Sequence, residues 1–494
     1  MIPILKKHAR NPLGWIGRGF ILSILFGMCG LSCIVDEFHD RGFLAPYDVV
    51  ITYPSQNDTL PTSFQIYGTA KDDLAVSYVQ ISIDGENWLD ATGTEEWSYS
   101  IEELTTGSHE IQVRVGDAYS DNEDTYATLD ISCQRSGQAT MLADLANIQD
   151  APAIAGDDNT LGIVWHDFRN SSDYNLYFRD INLYTGKSTA EFSISQVPGD
   201  QKNPAIAYYD GVLGLVYEQH NSAPQEIDLE FNTLTKQTDD TVSVGSIQAI
   251  SETNTNQQNP DLAANANGWG VAWEDSRNGN KDIYFKFIDG TTLEVGNEVP
   301  IIVAANDQYD PQLCAYGNNF VVTWVDERDG NAEIYLRSVN PLNANVGEEI
   351  KITDNPGFNQ MNPSIIYFGT EFGLVFETNK DGNQDIYMTR FTITSGMTPP
   401  DSTGLYTLSS DQINPHIFAT STGYGVTWED NRNGNWDVYV YHETTIGDAY
   451  AVKLSSGDKD DLHQEAVFNG HVIGTVWTTG TSPNLDIMYN WQVP

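Results

Sequence analysis

Apolar and polar residues alternate along most of this chain with a period of two, the pattern of strands that bury one face. The runs are short and are punctuated by Gly, Pro, Asn and Asp. Between residues 45 and 134 they read Val49–Tyr53, Phe64–Gly68, Val76–Ile83, Trp97–Ile101, His109–Val115 and Ala127–Cys133. Asp84-Gly85 closes the third run, and Asp-Gly between apolar runs signals a hairpin. About seven short strands at this spacing predict an immunoglobulin-like sandwich over 45–134. Residues 134–138, Gln-Arg-Ser-Gly-Gln, read as a polar linker.

From residue 139 the alternation becomes a repeat. Pro152, Pro204, Pro260, Pro311, Pro363 and Pro415 recur every 51–56 residues. Each stands 13 residues before an aromatic, in turn Trp165, Tyr217, Trp273, Trp324, Phe376 and Trp428. A seventh unit lacks the proline and carries Trp477. Each proline is expected to open a first strand. A second strand ends at the aromatic, a polar Arg-Asn-Gly-Asn turn follows, Asp-Ile-Tyr makes the third strand, and the fourth is looser. Four short strands per unit, repeated around an axis, predict a β-propeller over 139–494. The last unit stops after its third strand, while Thr140–Leu145 resembles a fourth strand with no blade of its own. An all-β chain with seven blades closed by that N-terminal strand is therefore expected, with six blades as the alternative.

The repeated hairpin is rich in Asp, Arg and Asn, which suggests an active site. Repetition argues against this, because an enzyme rarely needs its catalytic group seven times. The pairs Asp167/Arg169, Asp275/Arg277, Asp326/Arg328 and Asp430/Arg432 flank the tight turn. There the Asp can accept backbone N–H groups and pair with the Arg. Trp165, Trp273, Trp324 and Trp428 suit packing between neighbouring sheets. In a four-stranded blade, the turn between strands two and three shares a face with the link to the next blade. That link carries Gln201/Asn203, Gln257/Asn259, Gln360/Asn362 and Gln412/Asn414, with Gln308/Asp310 as a variant. One channel mouth is therefore expected to be ringed with amides and carboxylates, suited to a cation, a sugar or a partner's basic segment. The copies at Tyr217 and Trp477 lose the Asp and Arg, and mark either a binding side or drift.

Two resemblances add to this reading. The segment ITYP…GTAKDD…VQISIDGENW…WSYSIEELTTGSHEIQVRVGD resembles bacterial Ig-like modules, which implies a spacer or adhesive unit. The W-x-D-x-R-x-G-x-x-D-I-Y hairpins resemble the blades of Tol-type periplasmic propellers and related surface propellers, which implies binding rather than catalysis. Ser82 to Trp88 is similar to the sialidase Asp-box, but Gly85 follows Asp84 directly, so it reads as a hairpin of the sandwich.

The N-terminus adds an address. A basic head with Lys6, Lys7, Arg10 and Arg18 precedes an apolar run, Gly19–Ser32, of signal-peptide length. The run ends in Gly-Leu-Ser-Cys and resembles a bacterial lipoprotein signal, which implies lipidation of Cys33 after removal of residues 1–32; another export signal and an uncleaved anchor are the alternatives. Residues 33–44 read as a tether. The expected setting is the bacterial cell envelope, lipid-anchored to the outer membrane, with no membrane contact beyond that anchor.

Composition excludes several classes. The formal net charge is −45, from 69 acidic and 24 basic residues. Nucleic-acid binding needs a basic face and is excluded. Cys133 and Cys314 are expected to be lone thiols. There is no Gly-x-Ser-x-Gly elbow and no His-Glu-x-x-His zinc motif. No cofactor is expected, calcium in Asp-rich turns being the one cation considered. The reading is a non-catalytic binding or scaffold lipoprotein with an envelope protein or glycan as partner. The alternatives are a glycoside-directed hydrolase or lectin, and a calcium-stabilised component of the cell surface.

Overall fold

The computed structural model describes residues 47–492 apart from short stretches, the longest being 118–124 and 443–450. The expected signal segment, Cys33 and the tether lie outside the described residues. The chain forms two compact units, an N-terminal one and one that runs from Gln134 to the end.

The first unit is a sandwich of two antiparallel sheets. One orders Tyr47–Tyr53, Phe64–Lys71, Glu96–Ile101 and Thr92–Gly93. The other orders Thr59–Leu60, Thr125–Cys133, Gly107–Asp117, Val76–Ile83 and Leu89–Asp90. The alternating residues Ile66, Ile81, Ile111, Val113 and Val115 are wholly buried between them. Asp84 and Gly85 both take positive φ, 53° and 75°, as a two-residue hairpin turn requires. The Asp84 carboxylate accepts the Glu110 N–H at 2.9 Å and meets His109 Nδ1 at 2.7 Å. The stretch that is similar to an Asp-box is thus a turn whose carboxylate is engaged within the sandwich.

The second unit holds seven antiparallel sheets among the described residues. Blade 1 is Gln149–Gly156, Thr160–Asp167, Asn175–Asn182 and Phe192–Ser193. The first strands of blades 2 to 7 are Asp200–Tyr209, Gln257–Asn265, Gln308–Tyr316, Gln360–Phe368, Gln412–Ala419 and Asp460–Phe468. Each first strand neighbours the next, and that of blade 7 neighbours that of blade 1, so the ring is closed. Blade 7 contains three C-terminal strands and, outermost, Thr140–Ala143, which pairs with Asn484–Gln492. Leu142 and Ala143 are buried at this seam beside Ile154, Ile163 and Ile487. Leu142→Ala is expected to lower the propeller's stability by about 2 kcal/mol, at the low end for a core leucine because a terminal strand can relax into the space. Denaturant unfolding followed by tryptophan fluorescence checks this.

The prolines do not open strands, contrary to the sequence expectation. Each sits inside a first strand, three residues after its start in blades such as Gln257–Asn265. The residue before each proline position takes positive φ, one per blade: Ala151, Asn203, Asn259, Asp310, Asn362, Asn414 and His463. The pairing register slips at the same places. A bulge on the inner edge strand, where no partner needs the missing N–H, accommodates a proline.

The candidate site at the channel mouth

The repeated Asp and Arg meet within each hairpin. Asp275 is wholly buried and accepts Arg277 N–H and Nε–H at 2.9 Å each, with Arg277 Nη2 beside its second oxygen. Arg277 also reaches Glu298, just before strand four, at 2.6 Å. Asp326, Arg328 and Glu349 repeat this arrangement, as do Asp167, Arg169 and Glu191. Arg432 pairs with Asp430. The indole Nε1 of Trp324 donates to Asp326 at 3.0 Å, and its ring stacks on Tyr335 at 6.1 Å. The Arg328 guanidinium lies 4.9 Å over that tyrosine ring. Gly279, Gly330, Gly382 and Gly434 hold the turns with φ of 93–106°. Glu191, Glu298 and Glu349 were not anticipated from the loose fourth strands.

Gln201, Gln257, Gln308, Gln360 and Gln412 do not ring the mouth. All are fully buried. Their amides donate inward to link carbonyls, as Gln201 does to Gly199 at 2.7 Å and Gln412 to Ser410 at 2.7 Å. A glutamine beside a buried carboxylate and a tight link satisfies backbone acceptors that water cannot reach. Turn and link do share one face, as expected. Asn280 donates to Ala304 and Asn306 carbonyls at 3.0 and 2.5 Å, and Asn383 to Leu408 and Ser410 carbonyls at 2.9 and 2.7 Å.

The bulge residues sit on the innermost strands, where they meet a carboxylate set not singled out from the sequence. It occupies the position after each motif aromatic: His166, Glu218, Glu274, Val325, Glu377, Glu429 and Thr478. Four of its glutamates bridge to the next blade by accepting a bulge N–H. Glu218 takes that of Asn259 at 2.8 Å, Glu274 that of Asp310 at 2.9 Å, Glu377 that of Asn414 at 2.6 Å and Glu429 that of His463 at 2.7 Å. Asn259 and Asn414 also donate their amides to Glu274 and Glu429, at 2.8 and 3.1 Å, and Asn362 to Glu377. The environment of Asn203 differs, because His166 replaces the glutamate in blade 1.

The two worn repeats, blades 2 and 7, flank blade 1 on the closed ring. There Asp150 lies directly across the strand pair from His166, and Lys202 across from Glu218. His463 of blade 7 meets Asp150 at 2.6 Å, and Thr478 donates to the same oxygen at 2.9 Å. Burial opposes ionisation of Asp150, but the His463 bond overrides it and holds the carboxyl at about 2. The same bond raises the His463 imidazolium above its ordinary value. Burial drives His166 down to about 4, so it is neutral near pH 7. Among the described residues, no three His, Cys, Asp or Glu side chains converge as metal ligands. Cys314 is free and buried.

Elsewhere in the propeller several of the shifted groups are carboxyls. Burial pushes Glu429 and Asp310 up to about 7, Glu465 to about 8 and Asp261 to about 6. An acid whose folded pKa is raised binds more protons folded than unfolded. Its stabilisation is present at low pH and fades as pH rises through the folded value. His166 and His416, both lowered to about 4, act oppositely but only below their ordinary 6.5. Between pH 6.5 and about 8 the carboxylates and His463 act in one direction. The propeller's Tm is therefore expected to fall across that window, as calorimetry at stepped pH would show.

Residues 48–113 match the bacterial Ig domain family. No curated protein sequence matches the chain significantly. Among solved structures, the chain is similar to the β-propeller domain of the Trilobed protease of Pyrococcus furiosus. The identity is 12%, over 71% of this chain and 94% of that one, with a TM-score of 0.45. It is also similar to the polysaccharide lyase Uly1 (9% identity, 69% and 89% coverage, TM-score 0.49). A third is the sialidase of Trypanosoma rangeli, where identity is 10%, coverage 72% of this chain and 58% of that one, and TM-score 0.40. These likenesses concern fold. The chain is an all-β protein that joins a bacterial Ig-like sandwich to a propeller whose ring is closed by strand pairing at its own seam.

Proposed function

We propose that this chain is a surface-tethered, non-catalytic binding protein whose propeller mouth takes an envelope protein or a glycan. The Ig domain match supports an extracellular or surface setting, with the sandwich as spacer and Cys33 as lipid anchor. The observation that carries the reading is the fate of the repeated charges. Arg169, Arg277, Arg328 and Arg432 each bond to the Asp of their own hairpin, on four different blades. They build blades and do not converge on one substrate carboxylate, as a sialidase-like site would need. The mature chain is to be tested on a glycan array and by pull-down from envelope extracts. Retention of one ligand without turnover supports the reading, and release of cleaved product counts against it.

A glycoside-directed hydrolase is the second reading, favoured by the His463–Asp150 pair. The His463 side chain is 51% exposed, and the pair at 2.6 Å resembles an oriented general acid. Release of new reducing ends by the mature chain, lost in His463→Ala, would establish it.

A further inference from the structure

Blades 3, 5 and 6 share a pairing at the channel. A bulge asparagine donates to the glutamate that follows the motif aromatic of the same blade. Blade 4 breaks both halves: Val325 replaces the glutamate, and Asp310 replaces the asparagine. The Asp310 carboxylate accepts no hydrogen bond from any described residue. Only its backbone N–H is held, by Glu274. It is partly exposed, yet burial and repulsion from Glu274, Glu377 and Asp261 all disfavour its charge. Lys281, the cation that relieves it, already pairs with Glu274 at 2.7 Å.

A second observation points the same way. Gln464, on blade 7 where the other blades carry proline, is 5% exposed and borders blade 6. Its amide donates to the Asn414 carbonyl, in the corner formed by Glu377 and Glu429, and its Oε1 has no partner. The Asp310 carboxylate and the Gln464 Oε1 are thus acceptors that no described residue serves. Outside it, on the same face, three links in succession expose an apolar side chain: Val303 at 51%, Phe358 at 42% and Leu408 at 38%.

We propose that the mouth of blades 3–6 docks a basic peptide segment of a protein partner, with an ammonium or guanidinium group seated on Asp310 and apolar neighbours packed on Val303, Phe358 and Leu408. The proposal rests on the binding reading above and narrows its ligand from protein or glycan to a protein with an exposed basic segment. N–H donors on a cation satisfy both the stranded acceptors and the uncompensated charge. Sugar hydroxyls would satisfy the acceptors alone.

The test uses the mature chain and two labelled peptides, Leu-Arg-Leu-Arg-Leu amide and its counterpart with glutamate for arginine, read by fluorescence polarisation. The basic peptide is expected to bind, less tightly as salt is added, and the acidic one not to bind. Asp310→Asn restores the repeat's own residue and relieves repulsion. It is expected to melt no lower than the parent and to bind roughly tenfold or more weakly. Phe358→Ser is expected to weaken binding while leaving the salt dependence unchanged. Equal affinity for the two peptides, or full affinity in Asp310→Asn, overturns the proposal. If the array retains a glycan while the basic peptide fails to bind, the docking proposal falls and the binding reading stands. If neither is retained and nothing is captured, both fall.

Discussion

Trp324→Ala is expected to lower the propeller's unfolding free energy by about 3–5 kcal/mol, the range for a large aromatic removed from a core. The ring is wholly buried and packs in one cluster with Ala272, Ile283 and Phe285 of the preceding blade. Its removal opens a cavity between two sheets that are each anchored on a neighbour, so neither can close the gap. It also takes a donor from Asp326, which has no water to turn to. Denaturant titration monitored by near-ultraviolet circular dichroism reads the loss. Trp324→Phe keeps most of the ring but not the indole N–H, and about 1–2 kcal/mol is expected for the stranded acceptor. A loss below about 1 kcal/mol in the alanine variant would show that the blades are not held by their aromatic wedges.

Asp326→Ala is expected to be equally damaging, at about 3–5 kcal/mol, because it breaks a buried ion pair from its buried side. Asp326 is unexposed. It accepts the Trp324 indole at 3.0 Å, the Arg328 backbone at 3.0 Å and Arg328 Nε–H at 2.9 Å. All of these donors lose their acceptor together. Glu349 holds the other side of the same guanidinium at 3.0 Å but is 24% exposed. Water can replace it, so Glu349→Gln is expected to cost about 1 kcal/mol or less. Thermal melts of the two variants at one pH check the order. A Glu349 variant as unstable as the Asp326 one would place the energy on the outer arm of the triad.

Much of this architecture is legible in the residues. The aromatic and proline recur at fixed spacing because every blade must wedge the same ring at the same radius. Thr140–Ala143 stands out because it is a strand without a hairpin partner ahead of the first repeat. The prolines mislead, since a left-handed residue such as Asn259 lets Pro260 sit inside a strand instead of opening one. Gln257 and its equivalents mislead for another reason. A glutamine near a turn reads as surface, and nothing local shows that link carbonyls will need its amide. Glu274, Glu377 and Glu429 are missed because alternation places the residue after an inward tryptophan outward. In a propeller both faces of a sheet meet other blades, so outward there means toward a neighbour's bulge. The His463–Asp150 pair joins residues 313 apart in sequence, across the closure of the ring, and leaves no local signal.

We propose that the repeated charged hairpin builds the blades, whereas the mouth where the repeat fails takes the ligand. Melting temperature and basic-peptide affinity, measured side by side on Asp326→Asn and Asp310→Asn, test it most directly. Asp326→Asn is expected to melt lower but bind normally below its transition, and Asp310→Asn to melt no lower but lose the peptide. A stable Asp326→Asn chain that no longer binds, with Asp310→Asn unaffected, would contradict it.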